Sequence, residues 1–237
     1  MFNLKKKSMK KVILTLLALV AFTTLVSAQY KPSEGFTAEV NFCPLSANPI
    51  RIDYLKGRMF LGDKIAIRLG LSVNSLSNST KVAGAALTDP IEETVNKSFV
   101  FGMFPGIEIH VGNYEKLSPY FGAEIDVAMK SASTTISNYN NVLNDKLEYT
   151  GIWSDLTNSA YTQVGFNLIT GVDYYIYKGF YLGAEIGFGF LSTANKDIEC
   201  AFTDAATSLK TSQTIPGAKL SNFGVNFNSA IRLGWAF

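Results

Sequence analysis

The pentapeptide AIRLG occurs twice, at residues 66–70 and 230–234, and each copy sets one arginine between aliphatic residues. Comparable apolar stretches carry the other side chains that could do chemistry, namely five acids and one histidine: Glu39, Glu108, Glu124, Asp126, Glu185 and His110. Arginine binds carboxylates through charge-assisted hydrogen bonds, and histidine can transfer protons near neutral pH. The residue types therefore suit either ion pairing at Arg68 and Arg232 or acid–base chemistry at His110.

The elements that carry these residues have the period-two alternation of β-strands. In residues 64–74, for example, Ile67 and Leu69 share one face while Arg68 lies on the other. Eight such segments occur, beginning near residues 36, 50, 64, 98, 119, 162, 180 and 223. In the second segment the alternation changes phase between Tyr54 and Met59, which predicts a bulge near Gly57. Most segments reach the roughly nine to eleven tilted residues with which a strand crosses a bilayer.

The first 28 residues have the composition of a cleaved secretory signal peptide, with an uncleaved anchor as the alternative. Five lysines precede an apolar run, and small residues surround Ala28. Cleavage leaves one domain, residues 29–237, in which 16 of the 21 basic residues remain against 19 acidic ones. The basic character of the whole chain belongs to the leader, so the composition does not indicate a nucleic-acid partner.

Alternation alone does not show whether the apolar face meets lipid or a soluble interior, because a soluble ligand-binding barrel also alternates. The connections between the strands distinguish these two cases. Three connections are short, at residues 62–63, 112–118 and 175–179. Three others are predicted to be long polar loops, at residues 75–97, 131–160 and 192–220. Short turns at one rim and long loops at the other are typical of an outer-membrane barrel with its turns in the periplasm. Aromatic residues, Phe60 and Tyr175 among them, predict two interfacial girdles.

The whole region after the leader resembles the small eight-stranded outer-membrane barrels of Gram-negative bacteria, the OmpA/OmpX-type, porin-like domain. The stretches YFGAEID and FYLGAEIGFGF carry this resemblance, together with the final strand and its residues Ile231, Leu233, Trp235 and Phe237. The resemblance implies an all-β, transmembrane, up-and-down antiparallel barrel in the outer membrane, with both termini periplasmic. It also implies that the final strand is read by the outer-membrane assembly machinery. The chain ends at the barrel, so the peptidoglycan-binding domain of larger members is not expected.

Strand parity places the charged residues inside such a barrel, in a polar layer on the order of 10 to 15 Å above the periplasmic edge. The predicted luminal layer comprises Glu39, Arg68, Glu108, His110, Glu124, Asp126, Glu185 and Arg232. Glu185 and Arg232 lie at similar heights on neighbouring strands and form the first predicted pair. Five acids face two arginines, which predicts that water enters the layer or that some acids keep their protons.

Catalysis, metal binding and a cofactor are not predicted. His110 is the only histidine, and no serine stands beside it in the sequence at a useful spacing. Cys43 and Cys200 could form a disulfide at the outer rim or remain unpaired.

Two functions remain open. The first is a structural or adhesive barrel, a monomer embedded in outer-membrane lipid and lipopolysaccharide, whose loops contact an extracellular protein or surface ligand. The alternative is a narrow cation-preferring channel or small-solute conduit gated by the luminal layer.

Overall fold

The computed structural model describes residues 32, 34–42, 50–112, 115–227 and 231–237. The predicted signal peptide and Cys43 lie outside these residues. The described chain forms twelve strands: β1 (Glu34–Phe42), β2 (Ile50–Leu61), β3 (Ile65–Val82), β4 (Glu92–His110), β5 (Leu117–Ser137), β6 (Lys146–Thr150), β7 (Tyr161–Tyr177), β8 (Phe180–Asn195), β9 (Ile198–Thr203), β10 (Lys210–Ile215), β11 (Lys219–Phe227) and β12 (Ile231–Ala236). One 3-10 turn spans Tyr139–Asn141. Within these ranges no helix is long and apolar enough to cross a membrane.

Eight strand positions close into an antiparallel ring. The order runs β1, β2, β3, β4, β5, β7 and β8, and the eighth position is shared by β11 and β12, which both pair with β8. β12 then pairs with β1 from Thr37 opposite Ala236 to Phe42 opposite Ile231. Closure leaves the ring without an edge at this level. The prediction of an eight-stranded, up-and-down all-β barrel is confirmed.

The two faces of the ring are the reverse of those of a soluble domain. Large apolar side chains such as Ile67, Phe121 and Trp235 are exposed on the outside, while Arg68 and Arg232 between them are buried in the lumen. Such an apolar outer band is what contact with lipid requires. An arginine on that band near the bilayer centre would cost about 2 to 4 kcal/mol. This cost strongly favours the strand orientation in which the arginine side chains point into the lumen.

The predicted bulge near Gly57 is wrong. Met59 and Leu61 point outwards while Lys56 and Arg58 point into the lumen, without a change of phase between them. The irregularity lies earlier in β2, where the partners of Val40 and Asn41 jump from position 55 to position 51. The alternation from residue 54 onwards is continuous, so β2 contributes two basic side chains, Lys56 and Arg58, to the lumen.

The barrel has a turn end and an extended end. The turn end bears the short connections 62–64, 111–116 and 178–179, and β1 begins and β12 ends there. At the extended end, the segments expected to be long loops are largely strands. β5 pairs with β7 as far as Lys130 and with β6 from Ser133, and β6 continues the sheet through β9 to β10. The barrel wall is therefore prolonged on one side, from β3 to β10.

Candidate functional site

The lumen contains a network of ionic side chains to which all eight strand positions contribute. Its members are Glu39 on β1, Lys56 and Arg58 on β2, Arg68 on β3, Glu108 and His110 on β4, Glu124 and Asp126 on β5, Asp173 on β7, Glu185 on β8, and Arg232 on β12. The eight residues predicted for the luminal layer all face this interior. Lys56, Arg58 and Asp173 were not predicted, and they change the balance of charge.

Arg58 lies at the centre of the network and is fully buried. Its guanidinium contacts three carboxylates, those of Glu39 at 2.7 Å, Glu108 at 3.0 Å and Asp173 at 2.6 Å. The ring of Tyr181 also packs against it, with the guanidinium carbon 5.0 Å from the ring centroid. A planar guanidinium carries five N–H donors, so one arginine can tie together carboxylates from several strands.

Arg68 joins the other side of the network. It binds Glu185 in a bidentate manner, with nitrogen to oxygen distances of 2.7 and 3.1 Å. It also lies 3.0 Å from Glu108 and 2.8 Å from Glu124. Glu108 thus bridges Arg58 and Arg68, which links β2, β3 and β4 through one buried carboxylate.

Arg232 has closer partners than the predicted one. Its guanidinium lies 2.9 Å from Glu39 and 2.8 Å from Asp173, while the nearest approach to Glu185 is 4.0 Å. Arg68 occupies Glu185 instead, and Tyr120 donates a hydrogen bond of 2.5 Å to the same carboxylate. Equal height on neighbouring strands was therefore an insufficient guide. Arg232 is shared between its other neighbour, β1, and the non-adjacent strand β7, while Arg68 reaches across the narrow lumen from β3 to Glu185 on β8.

The three unpredicted charges had signals in the sequence. Asp173 follows the same parity in β7 as the inward residue Asn167, and both are buried. Lys56 and Arg58 share the parity of the inward residue Phe60, which the expected bulge obscured. Lys56 lies 3.3 Å from Glu39 and 3.5 Å from Glu185.

A floor of aromatic side chains closes the lumen on the turn side of the network. It consists of Phe60, His110, Tyr120, Tyr175 and Tyr181, none more than 2% exposed. The imidazole of His110 packs between the rings of Phe60 and Tyr120, with centroids 5.0 and 5.2 Å away. Phe60 and Tyr175 were expected in an interfacial girdle, which is wrong, because both point into the barrel. Five large buried rings therefore lie across the lumen at this level.

A serine does stand beside His110, contrary to the sequence-based expectation. The hydroxyl of Ser118, from the far side of the β4–β5 turn, lies 2.8 Å from Nδ1 of His110. Nε2 of the same ring lies 3.2 Å from Glu108. The order serine, histidine, acid is that of a nucleophilic triad. Ser118 is only 1% exposed, however, and Glu108 is also held by two arginines, so the hydroxyl is sealed from solvent and the acid is already engaged in ion pairs.

The lumen is more open on the other side of the network. Glu124, Asp126 and Glu185 are 8 to 10% exposed, whereas Arg58, Arg68 and Arg232 are at most 1% exposed. Solvent therefore reaches the network from the extended end.

The final strand presents the predicted assembly residues on its outer side. Ile231 and Trp235 are exposed, Leu233 and Phe237 are half-buried, and Trp235 packs on Phe180 with centroids 6.1 Å apart. The backbone N–H of Phe237 donates to the carbonyl of Phe36 at 2.8 Å, so the last residue helps to close the ring. Cys200 lies in β9 opposite Tyr149. Its disulfide with Cys43 stays a prediction, since Cys43 is not among the described residues.

The arrangement is suited to holding strands together across the lumen. Each arginine bridges acids from two or more strands, and each of Glu39, Glu108 and Asp173 contacts at least two basic groups. In the part of the chain that is described, no group of three or more His, Cys, Asp or Glu residues could hold a metal ion.

Comparison with known proteins supports this architecture. The model of the family described as "Putative OmpA-OmpF-like porin family" matches residues 50–190, which is more than half of the chain and includes β2 to β7 and most of β8. A search of curated proteins found no match.

Proposed function

Since the chain belongs to the OmpA-OmpF-like porin family and forms an outer-membrane β-barrel, we propose that it is a closed structural barrel whose extended end contacts partners outside the cell. In this proposal the turn end, where β1 begins and β12 ends, faces the periplasm of a Gram-negative bacterium. The outer apolar band contacts outer-membrane lipid and lipopolysaccharide, and the barrel acts as a monomer without enzymatic activity or cofactor.

The observation that carries the closed state is the network around Arg58 together with the aromatic floor. An eight-stranded barrel has an interior just wide enough for side chains to fill. Here the filling is ionic, and Arg58 and Asp173 are fully buried. Opening a path would require breaking several charge-assisted contacts at once in a low-dielectric interior, where an unpaired charge is costly.

The surface role rests on the shape of the extended end. β10 pairs with β9 on one side, and no described strand pairs with its other side. Likewise, residues 73–82 of β3 pair with β4 but not with any described part of β2. Both edges are exposed, and most of their side chains are polar. An unpaired edge offers a row of N–H and C=O groups to an extended segment of another protein, which binds by adding a strand.

Proline substitutions in β10 test the surface role. Successive N–H groups of a strand point to opposite sides, so of Ser212→Pro and Gln213→Pro one removes a donor from the free edge and the other from the β9 ladder. Adhesion of bacteria that express each variant should fall sharply for the free-edge variant. Amide hydrogen exchange in β9 identifies the free-edge variant, because in that variant the amides of β9 remain protected. Heat-dependent gel mobility shows that each barrel has folded. Unchanged adhesion in the free-edge variant would contradict the proposed role.

A cation-preferring conduit is the second candidate, and the partial exposure of Glu124, Asp126 and Glu185 favours it. Planar-bilayer conductance separates the two candidates. The refolded protein should be silent if the barrel is closed, and Arg58→Met should remain silent while the aromatic floor is present. Discrete cation-selective steps in the unmodified protein, altered by Arg68→Met, would instead support the conduit.

The assembly role of the final strand is a separate part of the proposal. Trp235 and Phe237 place aromatic side chains where the assembly machinery could read them as the barrel closes. Truncation of Phe237 should slow insertion into the outer membrane in cells, while refolding of the purified protein into detergent should continue. Equal insertion in cells would contradict this assignment.

A further inference from the structure

The barrel wall has a notch at its extended end. Six of the eight strand positions of the ring continue upwards there, namely β3, β4 and β5 as single long strands, β6 above β7, β9 above β8, and β10 above β11. The other two positions stop lower, because β1 ends at Phe42 and β2 begins opposite it at Ile50. The notch therefore lies above these two residues, between residues 73–82 of β3 on one side and β10 with β11 on the other.

Both sides of the notch are unpaired sheet edges. Among the described residues, 73–82 pair only with β4, and no strand pairs with the second side of β10 or β11. The sheet that joins the two edges is continuous, since one row of cross-strand partners runs through Lys81, Glu93, Ser137, Lys146, Thr203 and Lys210. With two strand positions missing, the edges are three strand spacings apart, about 14 Å along the wall. One added strand reaches only one edge, whereas two strands side by side pair with both.

The charges of the two edges have one sign. Residues 73–82 and 210–227 contain three lysines, Lys81, Lys210 and Lys219, and no aspartate or glutamate. All three lysines are exposed. Pairing with a second copy of this chain would bring lysines against lysines, which is unfavourable. A partner strand that carries acidic residues is complementary to both edges.

We propose that the notch binds a two-stranded β-hairpin of another protein, with acidic residues beside Lys81 and Lys210. The hairpin completes the ring of eight strands at this level, with one strand on β3 and the other on β10 and β11. Seven of the ten residues 73–82 are polar, so the hairpin meets water and needs no lipid-facing side. The inference rests on the proposed surface role and replaces strand addition at either edge by one site with two edges.

A hairpin built into the chain tests whether the notch accepts two strands. Residues 43–49 are replaced by a hairpin of roughly 22 residues, rich in Thr and Glu with an Asn-Gly turn, which prolongs β1 and β2 into the notch. The matched control replaces the same residues by a flexible Gly/Ser segment of equal length. We expect the edge-facing amides of residues 73–82 and of β10 to exchange at least about tenfold more slowly with the hairpin than with the control. Equal exchange rates in two barrels that are folded by heat-dependent gel mobility would overturn the proposal.

Adhesion of bacteria that express the same two proteins tests whether the notch is the binding site. The hairpin variant should adhere at least about tenfold less than the Gly/Ser control, because a tethered hairpin competes at an effective concentration of about 1 mM. Protected edges with unchanged adhesion would overturn the inference alone, and a loss of adhesion in the free-edge proline variant of β10 would then still support the surface role. Absence of adhesion by the unmodified protein would overturn the surface role and the inference together.

Charge reversal at the edges tests the acidic character of the partner. Adhesion should fall in the double variant Lys81→Glu with Lys210→Glu, since the added acids repel those of the hairpin. Lys146→Glu is the matched control and should adhere normally, because Lys146 lies in the same row but in β6, which is paired on both sides. Unchanged or increased adhesion of the double variant would overturn the assignment of an acidic partner. An equal loss in Lys146→Glu would overturn it as well, because surface charge alone would then govern adhesion.

Discussion

Replacement of Arg58 by methionine removes the centre of the luminal network while keeping an unbranched side chain of similar length. Arg58 is fully buried and contacts Glu39, Glu108 and Asp173 within 3.0 Å. Removing one partner of a buried ion pair typically costs about 3 to 5 kcal/mol, because the remaining charge is left uncompensated. Three separate pairs counted in this way would exceed the total stability of many small domains, which is about 5 to 15 kcal/mol.

The structure gives a smaller figure, because none of the three acids loses its last basic partner. Glu39 keeps Arg232 at 2.9 Å, Glu108 keeps Arg68 at 3.0 Å, and Asp173 keeps Arg232 at 2.8 Å. We therefore expect Arg58→Met to lower the free energy of unfolding by about 3 to 5 kcal/mol in total, the cost of one broken buried pair.

Reversible urea unfolding in lipid vesicles, followed by tryptophan fluorescence, measures this difference. The control is Lys81→Met, since the ion pair of Lys81 with Glu93 spans 3.7 Å and the lysine side chain is 64% exposed. An exposed pair of this kind contributes at most about 1 kcal/mol. If Arg58→Met cost no more than Lys81→Met, the network would not stabilise the barrel and the reasoning from burial would be refuted.

Further predictions concern packing, reactivity and pH. Gly234→Ala should cost about 1 to 3 kcal/mol in urea unfolding, because its Cβ would overlap the ring of Tyr181, whereas Gly224→Ala should be nearly neutral. Ser118 should not react with a fluorophosphonate probe in the folded barrel. If the unmodified folded protein were labelled, and His110→Ala abolished that labelling, the burial of the Ser118 hydroxyl would be contradicted. Hydrogen bonding from the backbone N–H of Thr157 lowers the pKa of Asp155 below its ordinary value of 3.8. The turn at Asp155 should therefore be stabilised above that value and lose this stabilisation as pH falls through the lower pKa, which a carbon NMR titration of the carboxyl group would show.

Much of the barrel could be predicted from alternation, because each strand has one face in lipid and one in the lumen. The inward phase of Arg68 and Glu108 followed directly from their aliphatic neighbours. The strand order and the eight-membered ring followed from short antiparallel connections at one end. The strands of the extended end were taken for loops, because both faces of β6, β9 and β10 meet water or each other and no lipid face imposes an apolar alternation.

Prediction of the site was less complete. The serine next to His110 was missed because Ser118 is eight residues away in sequence and becomes adjacent only when the β4–β5 turn folds back. Lys56 and Arg58 were missed because the position of the bulge in β2 depends on the register against β1, which the sequence of β2 does not contain.

The sequence by itself determined the class of fold, the lipid-facing and luminal faces of most strands, and the fact that acids and arginines would share the interior. These properties are local, since a period of two and the cost of a charge in lipid act on each strand separately. Only the tertiary structure decided which charges pair. Arg232 meets Glu39 and Asp173, and Arg68 takes Glu185, because the stagger of the strands and the width of the lumen set which long side chains reach each other.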